Sequence, residues 1–199
     1  KHLTVLRINS ADILKESLPH LRGLTTLEQL MLLGTKEKKG TLTDADLTHM
    51  TPLTNLTHLG LGNNPITGAG LAHIQSLSRI RNLSLEYTNI LNGLSNLKGM
   101  TEMTSLYMPG CPIVEGFTPL QGLTKLKQLI LTDTPVSDNA LKEIAGVKSL
   151  VVLELGNTKV TDAGVRELAA MPNLGSVPFD NTGLTDACVE HLIKLQKLN

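Results

Sequence analysis

The residues of this chain best suited to hold a metal ion or attack a carbonyl are six histidines, His2, His20, His49, His58, His73 and His191, and two cysteines, Cys111 and Cys188. Metal sites use short, fixed ligand spacings, and no two of the histidines form HExxH or a comparable pattern. A cysteine nucleophile needs a histidine and an orienting group beside it, and none is near Cys111 in sequence. Asp44 and Asp46 resemble a carboxylate pair, but they stand where a helical segment opens, and a carboxylate there meets unpaired N–H groups. The glycines are isolated, with neither GxGxxG nor a phosphate loop. No catalytic residue, metal or cofactor is assigned, and the chain reads as something other than an enzyme.

Composition narrows the partners. Lys plus Arg and Asp plus Glu are 18 each, giving zero formal net charge. A nucleic-acid binder carries a basic excess to neutralise phosphates. Aromatic residues are only 2% of the chain, too few for base stacking, so nucleic acid is excluded as a partner. No run of 18 apolar residues exists, and no membrane span is expected. Two cysteines cannot build a disulfide framework, and they lean toward a reducing, cytoplasmic compartment.

The 41% of hydrophobic residues recur at a fixed interval, and that interval is the main signal. The segment from Leu150, LVVLELGNTKVTDAGVRELAAMPN, aligns without gaps with the one from Leu174 and with the one from Leu126. Earlier copies begin at Leu3, Leu27, Leu56, Ile80 and Met103. The start-to-start spacings along the eight copies are 24, 29, 24, 23, 23, 24 and 24. Within each copy an L-x-L pair such as Leu153 and Leu155 alternates at the period of a strand with one buried face. Val165, Leu168 and Met171 follow at intervals of three, one face of a helical turn. Thr161 and Asp162 precede that turn as a helix-opening pair, repeated at Thr43 and Asp44, Ser137 and Asp138, and Thr185 and Asp186. No single copy buries its own apolar side, so neighbours must stack.

Between strand and helix lies a row of small polar positions: Thr35, Asn64, Thr88, Cys111, Thr134, Thr158 and Thr182, with Ala11 as the silent first member. Such a row can satisfy the backbone groups of a buried turn. Two irregularities interrupt the pattern. Five extra residues, Lys36 to Gly40, follow Thr35 and read as a solvated loop or a basic rim contact. The copies from Ile80 and Met103 are one residue short and carry Asn92-Gly93 and Pro119 where the others are helical, which predicts 3-10 turns there. Both ends of the chain fall in mid-pattern, Lys1 leading into Leu3 and Leu198 starting a further copy, as expected of a fragment with flanking repeats or domains.

The L-x-x-L-x-L-x-x-N/C/T core resembles the leucine-rich-repeat family over essentially the whole chain. The TDAG segment at Thr161 to Gly164 resembles the bacterial 24-residue variety, and the stretch with Leu94, Leu97, Met100 and Met103 looks like the shorter internalin type. The resemblance implies an α/β solenoid, a right-handed horseshoe with parallel strands on its concave face and short helices or 3-10 turns on its convex face, forming a single domain over residues 1–199. It also implies protein recognition, either alone or as the substrate-recognition arm of a larger enzyme such as a ubiquitin ligase or a secreted bacterial effector. A structural spacer is the remaining alternative.

The strand positions that alternate with the leucines face away from the core. Strands about 4.8 Å apart give eight such rows a surface roughly 35 Å long, enough for a protein partner. On it Arg7, Met31, Leu33, His58, Glu86, Tyr107, Ile130, Glu154 and Asp180 are the candidate contacts, with Lys36, Lys38 and Lys39 on the rim loop. Tyr and Arg are favoured interface anchors, which singles out Tyr107 and Arg7. Met31, Leu33, Tyr107 and Ile130 are expected to be the exposed apolar groups.

Overall fold

The structure, a computed structural model, describes residues 2–9, 15–35, 37–195 and 197. Lys36, Ala11 and Leu198 lie outside these residues. Seven strands form one open parallel sheet in chain order: β1 (Val5–Asn9), β2 (Gln29–Leu33), β3 (His58–Gly60), β4 (Asn82–Ser84), β5 (Ser105–Tyr107), β6 (Gln128–Ile130) and β7 (Val152–Glu154). The register is that of the repeat. Leu30, Leu59, Leu83, Leu106, Leu129 and Leu153 stand side by side across six strands, and each is at most 1% exposed. A fully buried leucine contributes about 1.5–3 kcal/mol of transfer free energy, so this aligned row is the main stabilising element. An eighth copy of the strand is reduced to a single bridge, Val152 to Ser176. Pro178 has no N–H to extend the ladder, although its carbonyl still accepts from Leu155 N at 3.0 Å.

Opposite the sheet lie α1 (Leu18–Leu21), α2 (Leu71–Ile74), α3 (Asp138–Ile144), α4 (Asp162–Leu168) and α5 (Val189–Leu192). Between them are 3-10 segments, including Asp44–Met50, Leu94–Leu97 and Thr118–Gly122. The two short copies do form 3-10 turns. Gly93 enters the first at φ 90°, and Pro119 sits in the opening turn of the second. Phe117, fully buried, fills that thinner part of the core.

The polar row works as local turn closure. Thr134, Thr158 and Thr182 each donate their hydroxyl to the carbonyl three residues back, at 2.6–2.7 Å. Thr88 does the same to Leu85 O at 2.7 Å, and the Cys111 thiol joins it on that carbonyl at 3.1 Å. Burial pushes the Cys111 thiol pKa up. Asn64 covers two copies at once: Nδ2 donates to Leu61 O and to Leu32 O of the preceding copy, while Oδ1 accepts from Leu42 N. This double role follows from the five-residue insertion. Thr35 is turned toward Lys38, accepting from its N–H at 3.0 Å, so Leu32 O needs a longer arm. Gly34 and Gly40 close the neck of the loop, and a Cβ at Gly34 would lie 2.3 Å from Gly40 N.

Candidate functional site

The outward positions of the strands form the face on which a partner could dock. Arg7 reaches along the face from β1 and donates to Gln29 Oε1 at 3.0 Å. Met31 lies over Gly60, where its Cε would be 2.4 Å from a Cβ, and Glu86 lies over Gly62 in the same way. Both glycines are thereby covered, and the absence of a side chain at Gly60 and Gly62 is what lets Met31 and Glu86 fold flat. Ser84 donates to Glu86 Oε2. On β5 and β6, Tyr107 OH and Ser105 Oγ both donate to Gln128 Oε1, at 3.0 Å each. Thr132 Oγ1 meets Glu154 Oε2 at 3.5 Å.

The expected exposed apolar patch is smaller than the alternation implies. Met31, Leu33 and Tyr107 are half-buried, but Ile130 is only 8% exposed. Its register neighbours are Tyr107 and Glu154. Flanked by two longer side chains, Ile130 is part of the floor rather than an anchor. His58 and Glu154 are half-buried, and Arg7 and Asp180 are exposed. Lys38 and Lys39 are exposed on the insertion, and Lys39 leans onto the strand-end rim, where it lines a cleft with Asn63, Tyr87, Asn89 and Pro112.

That rim carries a second polar row that sequence periodicity does not single out. The residue preceding each turn-closing position adopts the left-handed conformation: Asn63, Tyr87, Gly110, Asp133, Asn157 and Asn181 have φ between 52° and 65°. Asn, Asp and Gly are the residues that tolerate it. Their side chains link copy to copy. Tyr87 OH donates to Asp133 Oδ2 at 3.0 Å, Asn157 Nδ2 to Asp133 Oδ1 at 2.6 Å, and Asn181 Nδ2 to Asn157 Oδ1 at 3.0 Å. The Tyr87 ring spans Gly110 to reach Asp133. That hydrogen bond, then burial and the charges of Asp133 and Glu86, hold the Tyr87 phenol above its usual pKa. The legible signal was the recurrent Asn or Asp just before Thr.

The Thr-Asp pairs do more than open helices. Asp44, Asp138 and Asp162 each accept from both the backbone N–H and the hydroxyl of the threonine one copy later, Thr67, Thr161 and Thr185, at 2.6–2.9 Å. Each carboxylate is thus an inter-copy clasp. Asp46 behaves as the sequence suggests, accepting from Thr43 N at 2.8 Å. The short copies lack the pair and place Leu91 and Val114 at the threonine position, both exposed. There the clasp runs backward: Glu143 of α3 accepts from Gly116, Phe117 and Thr118 N–H at 3.1, 2.5 and 3.1 Å.

Cys111 and Cys188 are buried and unpaired. Among the described residues no three His, Cys, Asp or Glu side chains cluster as metal ligands, and no helix is long and apolar enough to cross a membrane.

The family described as Leucine Rich repeat matches residues 53–74 and 148–169. Among solved structures, internalin C2 from Listeria monocytogenes is similar, with a TM-score of 0.69 and 27% identity over 89% of this chain and 71% of that one. A leucine-rich-repeat protein of Leptospira interrogans superimposes with a TM-score of 0.74 at 18% identity, over 98% of this chain and 52% of that one. The leucine-rich-repeat ectodomain of an Arabidopsis thaliana membrane receptor kinase, solved in complex with Casparian strip integrity factor 2, gives a TM-score of 0.64 at 16% identity, over 91% of this chain and 22% of that one. This chain therefore spans about half of the Leptospira protein and about a fifth of the plant ectodomain. No curated protein sequence matches it significantly. Proteins of this fold are typically non-enzymatic modules that bind protein partners. With the repeat, the register of the sheet and these matches agreeing, the chain has the leucine-rich-repeat fold and is similar to the bacterial proteins of that kind.

Proposed function

We propose that this chain is a protein-recognition module whose partner docks across the outward face of β1–β7. The observation that carries the reading is the face itself. It is an open parallel sheet that, with the turns that follow its strands, presents half-buried and exposed groups (Arg7, Met31, Leu33, His58, Glu86, Tyr107, Glu154 and Asp180), several of them held by their neighbours and none covered by another element among the described residues. Preorganised side chains lose less entropy on association. Tyr107, tied to Gln128, and Arg7, tied to Gln29, combine anchor chemistry with fixed position. The Lys38 and Lys39 rim extends the surface with positive charge. The complex formed by the plant ectodomain supports the same class of activity.

The test is capture of partners by the immobilised chain, by Tyr107→Ala with Arg7→Ala, and by His73→Ala on the exposed helix side. The double substitution should abolish capture of a partner that His73→Ala retains. Undiminished capture by the double variant rejects these anchors.

A further inference from the structure

At the other rim, where the chain enters the strands, a cleft of about 380 Å³ opens between the starts of β2, β3 and β4. Gln29, Asn55, Thr57, His58, Arg79 and Arg81 line it, with Glu28 also on its wall. Nothing in the sheet-face reading uses the two arginines. Their setting becomes specific once each hydrogen-bond acceptor in the cleft is followed to its partner.

Asn55 Oδ1 accepts from Arg79 Nη1 at 2.8 Å, while its Nδ2 donates to Thr25 O at 2.9 Å. Gln29 Oε1 accepts from Arg7 at 3.0 Å. The Thr57 hydroxyl donates to Glu28 O at 3.0 Å, so its contact with His58 Nδ1 at 2.9 Å has the imidazole N–H as donor. The Asn55 and Gln29 amide oxygens and the Thr57 hydroxyl are therefore engaged, leaving His58 Nε2 as a neutral acceptor of the wall. Most of what remains open is donors: the Gln29 amide N–H groups, the free N–H groups of Arg79, and the whole guanidinium of Arg81. The Arg81 side chain makes no hydrogen bond or ion pair among the described residues, and the carboxylate that feels its charge is Glu102, which is itself paired with Lys125. A cavity lined chiefly by unsatisfied donors and two arginine charges, one of them held by Asn55, is complementary to an oxyanion. Arginine forks match the two oxygens of a carboxylate or phosphate.

We propose that this cleft is an oxyanion receptor that takes the carboxylates of an acidic segment of the protein partner. The proposal rests on the protein-recognition reading and adds the chemistry of the ligand. Carboxylate is favoured over phosphate by Glu28. A dianion would face that wall carboxylate with twice the repulsion, whereas a carboxylate chain can set one group on the arginines and trail away. The same geometry makes Glu28 a selectivity element, since it weakens binding of any anion that fills the whole cleft.

Isotope-labelled chain is titrated at constant ionic strength with N-acetyl tetraglutamate amide and, separately, with inorganic phosphate. The Arg81 Nε–H and Gln29 amide resonances are followed by NMR. The peptide should saturate these signals at a lower concentration than phosphate. Arg81→Ala should weaken the peptide by roughly tenfold, the order expected for loss of one charge-assisted pair. Glu28→Gln, which leaves the backbone carbonyl contacts intact, should tighten it, and Lys127→Ala, on the same rim but outside the cleft, should leave it unchanged. Phosphate saturating first, no saturable shift, or equal weakening by Lys127→Ala overturns the proposal. Failure of the peptide to bind while partner capture still depends on Tyr107 faults the cleft alone. Peptide binding that persists when capture ignores Tyr107 and Arg7 faults the sheet-face anchors alone.

Discussion

Glu143 and Glu167 occupy the same helical position 24 residues apart, in α3 and α4, yet the structure gives them unequal work. Glu143 collects three backbone N–H groups and the Thr118 hydroxyl of the preceding copy on one oxygen. Glu167 only approaches Arg166 at 3.9 Å on the surface. Replacing each by alanine changes helix propensity alike, so that contribution cancels. Hydrogen bonds to a charged group are worth about 1.5–3 kcal/mol each, but Gly116 and Thr118 are exposed, and their N–H groups regain water when the carboxylate leaves. Phe117 is buried, and its N–H, 2.5 Å from Glu143, is the one left unsatisfied, at about 1–3 kcal/mol. Glu143→Ala should therefore destabilise by ~2–3 kcal/mol, and Glu167→Ala by under about 0.5 kcal/mol, the usual value of an exposed ion pair. Urea unfolding followed by circular dichroism gives both numbers, provided the slopes agree. Hydrogen exchange at the Phe117 amide locates the effect and should accelerate only in Glu143→Ala. Equal destabilisation by the two substitutions, or an unchanged Phe117 amide, would show that the backward clasp carries no energy.

Two further outcomes follow from the clasps and the rim. The Thr185 hydroxyl and N–H hold the Asp162 carboxyl below the usual carboxylate range, helped by His191 and opposed by slight desolvation. A depressed folded-state pKa contributes stability above the ordinary value of about 3.9 that is lost as pH falls through the folded value. The thermal midpoint of the wild type should thus exceed that of Asp162→Asn at neutral pH, and the gap should close in acid, below about pH 4; a gap constant with pH contradicts the assignment. Gly110→Ala places a Cβ 2.2 Å from the Tyr87 ring at φ 65°, whereas Gly116→Ala meets open space at φ 92°. Both carry the backbone cost of about 1 kcal/mol, so urea midpoints should show Gly110→Ala as the more damaging by ~1–2 kcal/mol, and equal midpoints would mean that Tyr87 does not pack where the structure puts it.

Much of the fold was legible because it is written in leucines. The alternation Leu153, Leu155 and the triplet Val165, Leu168, Met171 each state a period, and repetition removes the ambiguity a single copy would leave. The 3-10 turns at Leu94–Leu97 and Thr118–Gly122 were equally legible from Gly93 and Pro119. What pattern alone did not reveal is where polar groups point. Thr161 and Asp162 read as a cap for their own helix, but Asp162 faces Thr185 because the next copy stacks within reach, a distance the one-dimensional pattern does not contain. Ile130 reads as exposed because strand alternation assigns it outward. Its burial comes from the lengths of Tyr107 and Glu154 on the adjacent strands, a cross-strand property. Asn64 took on the closure of two copies for a similar reason, since the consequence of the insertion appears 24 residues after it.

These polar links explain how so thin a molecule can keep a defined surface. In a solenoid each copy touches only its neighbours, so stiffness is a sum of nearest-neighbour terms, and a flat leucine layer alone permits sliding along the strands. The Asp-to-Thr clasps oppose that sliding on the helix side, and the Tyr87, Asp133, Asn157 and Asn181 row opposes it at the strand ends. Between Gly68 and Val114 the Asp-to-Thr clasps are missing, and a different device operates: backbones approach closely, with a Cβ at Gly68 only 2.1 Å from Asn92 O. Much of the register is thus fixed by groups that lie off the outward face of β1–β7. Apart from packed positions such as Ile130, the outward residues of β1–β7 therefore carry less of that duty, which is the condition for a surface whose residues can vary with what they bind.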